Sequence, residues 1–579
     1  MRPARRLALI IILGATGLWS VGADMRAASA DAKARSAEPG GQDADAAEAA
    51  SSRADHEAPD ASEQPDLQGS ILALAQSDDF APAEIESPAR SDVASDALIN
   101  HPAIDRGRTE SSSWRSSGRF WTAAEIAAIL AGGGMQYWTE RDGSPHWAPG
   151  DWPNRFSTDA LILDTNDFRT NYAFHTVAGA SYHVAARASD LSLLESAAWN
   201  LGASLTWEYV VEFRDKADVN DIVFTTPAGV AMGEFSHRLG RLLHQGREGR
   251  AWDIARWTLG FPQSFDDAVA GRSSPRGPPI AHDIDVGLGF SRATRTETRG
   301  GESAAEHAFA LPHVELSATL TALPQRGGRG WRLFSNAEIT SLDLQIAGGS
   351  GRENAVYVLS DTVLAGAHFS DVTEDGTRGL EASIGTSTAL RYDTVHYGGS
   401  RDRLSVAHLP GLAVDTDYWR DSFQAQLSAR VHPDYGGMHA LGYPAWQDRN
   451  PDERGLSTVE EEGYYHAFGG SARLAVELGL ARLRAGGEVF AAAYWPHRGL
   501  DEFRQGRPHH EPDEDREAIT LEQSIRSRIV SYDVWLRGEL GRGVFAEARA
   551  EARRGRERFE EVYTRARAMR LGVAIGITL

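Results

Sequence analysis

A chain of 579 residues with 59 basic and 81 acidic side chains carries a formal charge of −22. That balance argues against a nucleic-acid partner, because phosphate binding draws on surplus Lys and Arg. The absence of cysteine excludes disulfides, thiolate metal sites, cysteine nucleophiles and lipidation at an amino-terminal cysteine. No long hydrophobic helix is legible beyond the amino-terminal run, which argues against a multi-pass helical membrane protein but not against a β-barrel, whose lumen and loops are polar.

In chain order, Arg2, Arg5 and Arg6 precede the apolar run Leu7 to Leu13, and the small residues Val21-Gly22-Ala23 follow. This predicts a cleaved signal peptide over 1–23, the apolar run falling short of the roughly 20 residues that span a bilayer. Residues 24–118 are dominated by Ala, Asp, Glu, Ser and Pro, too little apolar surface to offset ordering entropy. They read as a disordered acidic leader, with Ile71 to Leu74 a transient helix or a docking motif for a periplasmic partner.

A helical domain is expected over 119–275. Thr122-Ala123-Ala124-Glu125 reads as a capping box opening a short helix that Gly132, Gly133 and Gly134 stop. An aromatic loop with Trp138, Trp147 and Trp152 follows, then three helices: about 171–188, one from Ser192 to about Arg214 behind the capping box Ser192 to Glu195, and one from the cap Thr226 and Pro227 to about His244. Gly179 with Ala180, Gly202 with Ala203, and the pair Gly229 and Gly233 permit close helix approach. Glu195, Asn200, Glu208 and Glu212 make these helices costly to bury in lipid, so they should pack on each other and on protein, facing water in part.

From about residue 280 to the terminus the period changes to two. Ile284, Val286, Leu288 and Phe290 alternate with Asp283, Asp285, Gly287 and Ser291. The pattern recurs over 314–321, 423–431, 472–480 and 483–495, and it ends in Met569, Leu571, Val573, Ile575, Ile577 and Leu579 against polar or small residues. One greasy face and one charged face on successive strands predict an outer-membrane-type antiparallel β-barrel of about ten to twelve strands over 280–579, an α+β chain overall. Tyr494 and Trp495 read as an interfacial aromatic pair. The chain ends in Leu579, where such barrels often carry Phe or Trp.

The stretch from Asn166 to Leu242 resembles an uncharacterised exported bacterial family, domain of unknown function 3943. The resemblance is carried by Asn171 to His175, Gly179 to Tyr182, Arg187, Glu195, Trp207-Glu208-Tyr209 with Glu212, Asn220-Asp221, and Thr226-Pro227 leading to Gly229, Gly233 and Glu234. The chain departs from the family pattern at Thr176 and His183. The resemblance implies an envelope location and a barrel-like remainder, and it brings no established reaction.

Asn171 and His175 share a helix face, as do Glu208 and Glu212. A packed hairpin would bring the imidazole against two carboxylates, a candidate general base or metal site; the competing reading is a satisfied polar bundle. Glu234 and His237 have the spacing of a di-iron helix motif, present once where two are needed. The run His509-His510-Glu511 with Asp513, Glu514 and Asp515 reads as a hydrated acidic barrel loop, loose attraction of a divalent cation being the alternative. No cofactor and no resident metal are expected. His466 and Ser471, five apart, should face opposite sides of a strand.

Three functions follow: a structural or transport barrel with the helices as plug or adaptor, an envelope hydrolase of lipid or glycan using His175 with Glu208 or Glu212, or a soluble periplasmic β-sandwich with a helical cap. The first places the chain in the outer membrane, with lipid and the barrel-assembly machinery as partners; the last places it in the periplasm.

Overall fold

The computed structural model describes residues 112–140, 156, 161–163, 166–213, 217–246, 249–270, 278–299, 302–323, 329–348, 353–397, 400–451, 459, 463–497 and 524–579. The expected signal peptide, the leader up to residue 111, Trp147, Trp152 and the run His509 to Asp515 lie outside them.

The alternating segments form strands β1 (Ala281–Arg299), β2 (Glu302–Thr321), β3 (Gly330–Phe334), β4 (Ile339–Gly348), β5 (Asn354–Val372), β6 (Arg378–Tyr397) and β7 (Ser400–Arg420). They continue as β8 (Phe423–His439), β9 (Tyr464–Leu480), β10 (Leu483–Pro496), β11 (Ile525–Gly541), β12 (Val544–Phe559) and β13 (Val562–Thr578). Pairing among these thirteen strands is antiparallel and mostly between chain neighbours, with β4 rather than β3 joining β2 to β5, whereas Leu161–Ile162 and Ala217–Asp218 form a separate short parallel pair. β13 pairs with β1, and β5 pairs with β6, so twelve strands close into a barrel with β3 appended to the far half of β5. Closure overturns the two-sheet sandwich, which would keep separate packed layers.

At the rim that holds the carboxyl terminus, two-residue turns join β7 to β8, β9 to β10 and β11 to β12, where Asp421, Ala481 and Arg542 take positive φ, and one such turn at the other rim joins β12 to β13 through Glu560. The two longest connections, 440–463 and 497–524, leave from the opposite rim, and the shorter 322–338, which carries β3, from the carboxyl-terminal one. In one short turn Asp375 accepts from the Thr373 hydroxyl and from the Thr377 amide and hydroxyl, which holds its carboxyl below the usual range.

Register fixes which side each residue faces, because directly paired residues share a face. Val573 pairs with Phe290 and Ala548, Leu288 with Val314, and Val314 with Ile346; the exposed apolar members of this set mark the outer face. The opposite face is charged and closes on itself. Arg553 on β12 reaches Asp393 on β6 at 2.9 Å, and those strands stand six places apart in either direction round the ring. A contact between them crosses the lumen.

Tyr494 and Trp495 separate on this alternation: Trp495 is exposed outside, whereas Tyr494 is buried and donates inward to Asp434. The expected aromatic pair is therefore a single outward Trp, since neighbours on a strand cannot share a face. The lumen's upper part, near the opposite rim, holds an apolar cluster including Trp446, Phe559, Tyr465 and Phe490. The short helix α7 (Tyr443–Gln447) caps it, anchored by the Gly442 amide donating to Glu557 at 2.7 Å.

The helices before the barrel are α1 (Ser112–Glu140), α2 (His175–Ala188, entered through a π-helical turn Thr170–Phe174), α3 (Leu193–Thr206, extended by a π-helical turn Trp207–Val211), α4 (Val219–Gln245), α5 (Arg250–Thr258) and α6 (Phe261–Ala270). The Ser192 cap is present, its hydroxyl accepting from the Glu195 amide at 3.3 Å. Two expected starts move. α1 begins at Ser112, before the expected leader boundary at 118, and it runs through Gly132 to Gly134; Thr122 lies buried in its middle instead of capping it. α4 begins seven residues before Thr226, so Pro227 is interior. Phe224, packed against the barrel, holds the first turns in place although Pro227 lacks an amide to donate.

α4 lies against the barrel's outer face. Phe224, Ala228 and Ala231 pack with Phe168, Tyr172, Leu390, Ala407, Tyr435 and Tyr464, while Phe235 packs with Ile280, Ala318, Leu320 and Leu342. Ser360 and Thr362 of β5 donate to the Ala231 carbonyl at 3.0 and 3.2 Å. By register Ser360 pairs with Leu342 and Leu390, and Leu342 with Ala318; all are outward positions. The helices are thus no plug within the barrel mouth. Ion pairs between barrel strands cross the lumen, Leu163 from the segment before α2 joins its upper apolar cluster, and the apolar stripe of α4 packs on the wall's outer face.

Candidate functional site

Among the described residues, polar side chains are buried at the seam between helices and wall and in the lumen. At the upper seam, Asn171 donates to the Tyr464 hydroxyl at 2.8 Å, which donates to the Asn166 carbonyl at 2.7 Å. The Tyr172 hydroxyl meets Nδ1 of His466 at 2.7 Å. His466 therefore faces outward, and Ser471 faces the lumen. His175 turns toward α4, where its Nε2 lies 3.1 Å from Asp221 and its Nδ1 3.2 Å from the Thr225 hydroxyl. Asn220 donates to the other oxygen of Asp221 at 2.6 Å.

Glu208 and Glu212 lie elsewhere. Glu208 accepts from the Asp218 amide at 2.9 Å, and ligand-capable oxygens of Glu208, Glu212 and Asp218 fall within 4.8 Å of one another. The carboxylate beside His175 is thus Asp221, and the two glutamates form an acidic cluster with Asp218. Trp207 lies against Gly133 of α1, Tyr209 stacks on Phe156 at 5.4 Å between centroids, and Tyr182 packs with Ile126 and Ala203.

The lower seam is more highly charged. Glu234 of α4 receives His183 Nε2 at 2.9 Å and Arg187 Nε at 2.5 Å, with Arg238 at 3.8 Å; none of the four side chains is more than 4% exposed. Arg187 also donates to the Leu191 carbonyl at 2.7 Å, and both arginines reach the Asn336 carbonyl beside β4. With Glu234 engaged by these three, the Glu234 to His237 spacing builds no metal pair. Glycine lets the helices close: a Cβ on Gly229 would sit 2.6 Å from Gly179 Cα, and one on Gly233 3.0 Å from the His183 side chain. Gly202 has open space instead. Glu195, at the start of α3, takes Arg119 of α1 at 2.6 Å.

In the lumen, Arg295 on β1 bonds Asp402 on β7 and, at 2.6 Å, Glu297. Asp361 on β5 takes Arg430 of β8 at 2.7 Å and Arg473 of β9 at 3.1 Å. Ser471 Oγ and Asp434 Oδ1 both meet Nδ1 of His408, at 3.1 and 2.7 Å. A nucleophile relay needs serine and acid on opposite ring nitrogens; sharing one nitrogen, with all three residues buried, makes this a packed polar network. Sequence reasoning missed it, because three residues on three strands meet only through register. A cavity of about 30 Å³ among Arg295, Asp402, His439 and Arg553 has room for about one or two waters.

A family model described as a domain of unknown function (DUF3943) matches residues 160–261, the span from just before α2 to the start of α6. No curated protein matches. Among solved structures, an outer membrane channel from Pseudomonas putida F1 matches at 11% identity over 52% of this chain and 96% of that one, with a TM-score of 0.23. The outer membrane channel DcaP of Acinetobacter baumannii matches at 10% identity over 52% and 98%, TM-score 0.21. The P. putida toluene transporter TodX matches at 7% identity over 51% and 89%, TM-score 0.22. At such scores the barrel assignment rests on this chain's own strand pairing.

Proposed function

We propose that this chain is an integral outer-membrane barrel with a structural role, a non-conducting scaffold that carries the helical layer on its flank. The observation that carries this reading is the set of charge bridges across the lumen, Arg553 to Asp393 and Arg295 to Asp402, which fill the path a solute would take. An outer face of Leu, Val and Ile around a charged interior supports placement in a bilayer, because a closed barrel satisfies its backbone internally and needs only its outer side chains to be apolar. The two longest connections leave from the opposite rim, which supports a periplasmic position for the rim that holds the carboxyl terminus.

A lipid- or glycan-acting hydrolase finds less support. His175 is engaged by Asp221 and Thr225, and the Ser471 network is buried. The test is single-channel recording of the full-length protein in planar bilayers, after a heat-dependent shift in gel mobility has established a folded barrel. No steady current is expected. Ohmic conductance of porin size would overturn the non-conducting reading, and recovery as a soluble species without a mobility shift would overturn the membrane reading.

A further inference from the structure

We infer that the helical layer lies inside the outer membrane beside the barrel, with α1, α2 and α3 turning their outer faces to the acyl chains of the lipid. The inference rests on the membrane placement of the barrel proposed above and adds a second lipid-facing surface to it.

The layer is polar within and apolar without. Between Phe120 and Met135, each exposed position of α1 is Phe, Trp, Ile, Met, Ala or Gly. On α3 and the turn that extends it, the exposed positions from Leu194 to Val210 are Leu, Ala, Gly and Val; on α2 and the last residue of the turn before it they are Val177 and Phe174. Asn171, His183, Arg187, Asn200, Glu208 and Glu234 are all buried, and α4 has no exposed residue. A bundle washed by water would show the reverse. Ionisable side chains in lipid face the protein interior and pair there, as Glu234, Arg187 and His183 do.

Hydroxyls near the apolar surface are satisfied by their own helices, Ser181 donating to the Val177 carbonyl at 2.8 Å and Thr206 to that of Gly202 at 2.7 Å. No described helix is apolar enough to cross a membrane alone. Packing against the wall removes that requirement, because the polar sides never meet lipid.

Orientation and length agree. Arg119 near the start of α1 pairs with Glu195 near the start of α3, and Trp138 at the other end of α1 donates to the Val211 carbonyl at 3.0 Å. α1 and α3 therefore run side by side in the same direction. Arg187, late in α2, reaches Asn336 beside the rim that holds the carboxyl terminus, while Tyr172 before α2 reaches His466 near the opposite rim. The helices thus run from rim to rim. At 1.5 Å per residue, the apolar faces from Phe120 to Met135 and from Leu194 to Val210 are roughly 22 and 24 Å long, close to the roughly 25 Å apolar band of such barrels.

The footprint is also bordered by the barrel's own exposed apolar residues. On β7 and β8, Leu412 and Val431 are exposed a few residues from the covered Ala407 and Tyr435; on β2 and β4, Val314 and Ile346 are exposed beside the covered Ala318 and Leu342. The helical surface is continuous with the barrel's lipid-facing one.

The absence of cysteine makes the test direct. Single variants Ile129→Cys, Val177→Cys and Leu201→Cys, each spin-labelled in the full-length protein in phosphatidylglycerol and phosphatidylcholine vesicles, are compared for collision with oxygen and with a water-soluble nickel chelate. Val573→Cys on the barrel wall and Asp375→Cys in a turn serve as references. Labels on the helices should favour oxygen several-fold, as at Val573, with the ratio inverted at Asp375. Nickel access at the helix labels with Val573 still favouring oxygen would overturn the inference and leave the barrel reading standing; nickel access at Val573 as well would overturn both. Exclusion of both agents at the helix labels would mean that a second protein surface covers them, which also overturns it.

Discussion

The lumen and the helix–wall seam are both polar interiors inside apolar coats, but they are closed by different means. In the lumen the strands' backbone pairing closes the wall first, and the side chains then bridge it at several levels: Arg295 with Asp402, Arg553 with Asp393, and Asp361 with Arg430 and Arg473. At the lower seam one carboxylate, Glu234, serves His183, Arg187 and Arg238 together. The lumen is redundant and the seam is not, so equivalent lesions should have unequal effects.

The largest difference should come from Glu234→Gln. Removing the charge leaves two buried guanidinium groups without their shared partner, and breaking a buried ion pair from one side costs about 3–5 kcal/mol. We expect proteolysis to release the helices while the barrel keeps its heat-dependent gel shift. A shift lost together with the helices would show that seam and wall fold as one unit.

Next comes the contact between α2 and α4. Gly229→Leu would drive atoms into the Gly179 backbone, which a Cβ alone already approaches at 2.4 Å, and overpacking of this kind costs roughly 1–3 kcal/mol or more. Gly202→Leu, with nothing within 4 Å, should leave the urea midpoint of the helical layer unchanged. Equal effects from the two would break the distinction between the layer's inner and outer faces.

Arg553→Ala should act less sharply than Glu234→Gln. It strands Asp393, which is only 9% exposed but keeps a second guanidinium, Arg391, at 3.4 Å, so about 1–3 kcal/mol is expected. The double variant with Asp393→Ala should recover part of that in the barrel's thermal midpoint, since neither charge is then left alone. A collapse of the barrel from this one substitution would contradict the redundancy drawn above.

The strands were legible because a wall with lipid on one side and charge on the other imposes period two, and 284–290 and 569–579 display it plainly. The helices α2 and α3 were legible from Ser192 and their small residues. What escaped was every relation between distant segments. His175 meets Asp221 rather than Glu208, because the rotation of α2 against α4 is set by the Gly179 and Gly229 contact, which no spacing within one helix encodes. Thr122 looked like a cap because its local motif is a cap's, yet tertiary packing of Ile126 and Leu130 on Tyr182 carried the helix through Gly132 to Gly134. The outward placement of α4 depended on strand register, and Ser360 and Thr362 give no sign of it when read as an alternating strand.

The smallest expected effect separates the two faces of a single dipeptide. Tyr494 donates to Asp434 at 3.1 Å inside the lumen, while Trp495 is exposed on the wall. Tyr494→Phe removes one hydrogen bond to a carboxylate that still holds His408 at 2.7 Å, so a loss of about 0.5–1.5 kcal/mol is expected, read as a small drop in the temperature at which the folded gel band disappears. The same substitution should not alter how the protein meets lipid. Trp495→Ala should do the opposite: it leaves the folded band's melting temperature nearly unchanged in detergent, where no interface anchors the ring, and it removes the blue-shifted component of tryptophan emission that this position contributes in vesicles. If Tyr494→Phe changed the vesicle signal while Trp495→Ala lowered the melting temperature in detergent, the assignment of inner and outer faces on β10 would be reversed. With it would fall the placement of α4, because the same register runs from β10 through β9 to Phe468 and His466 at the seam.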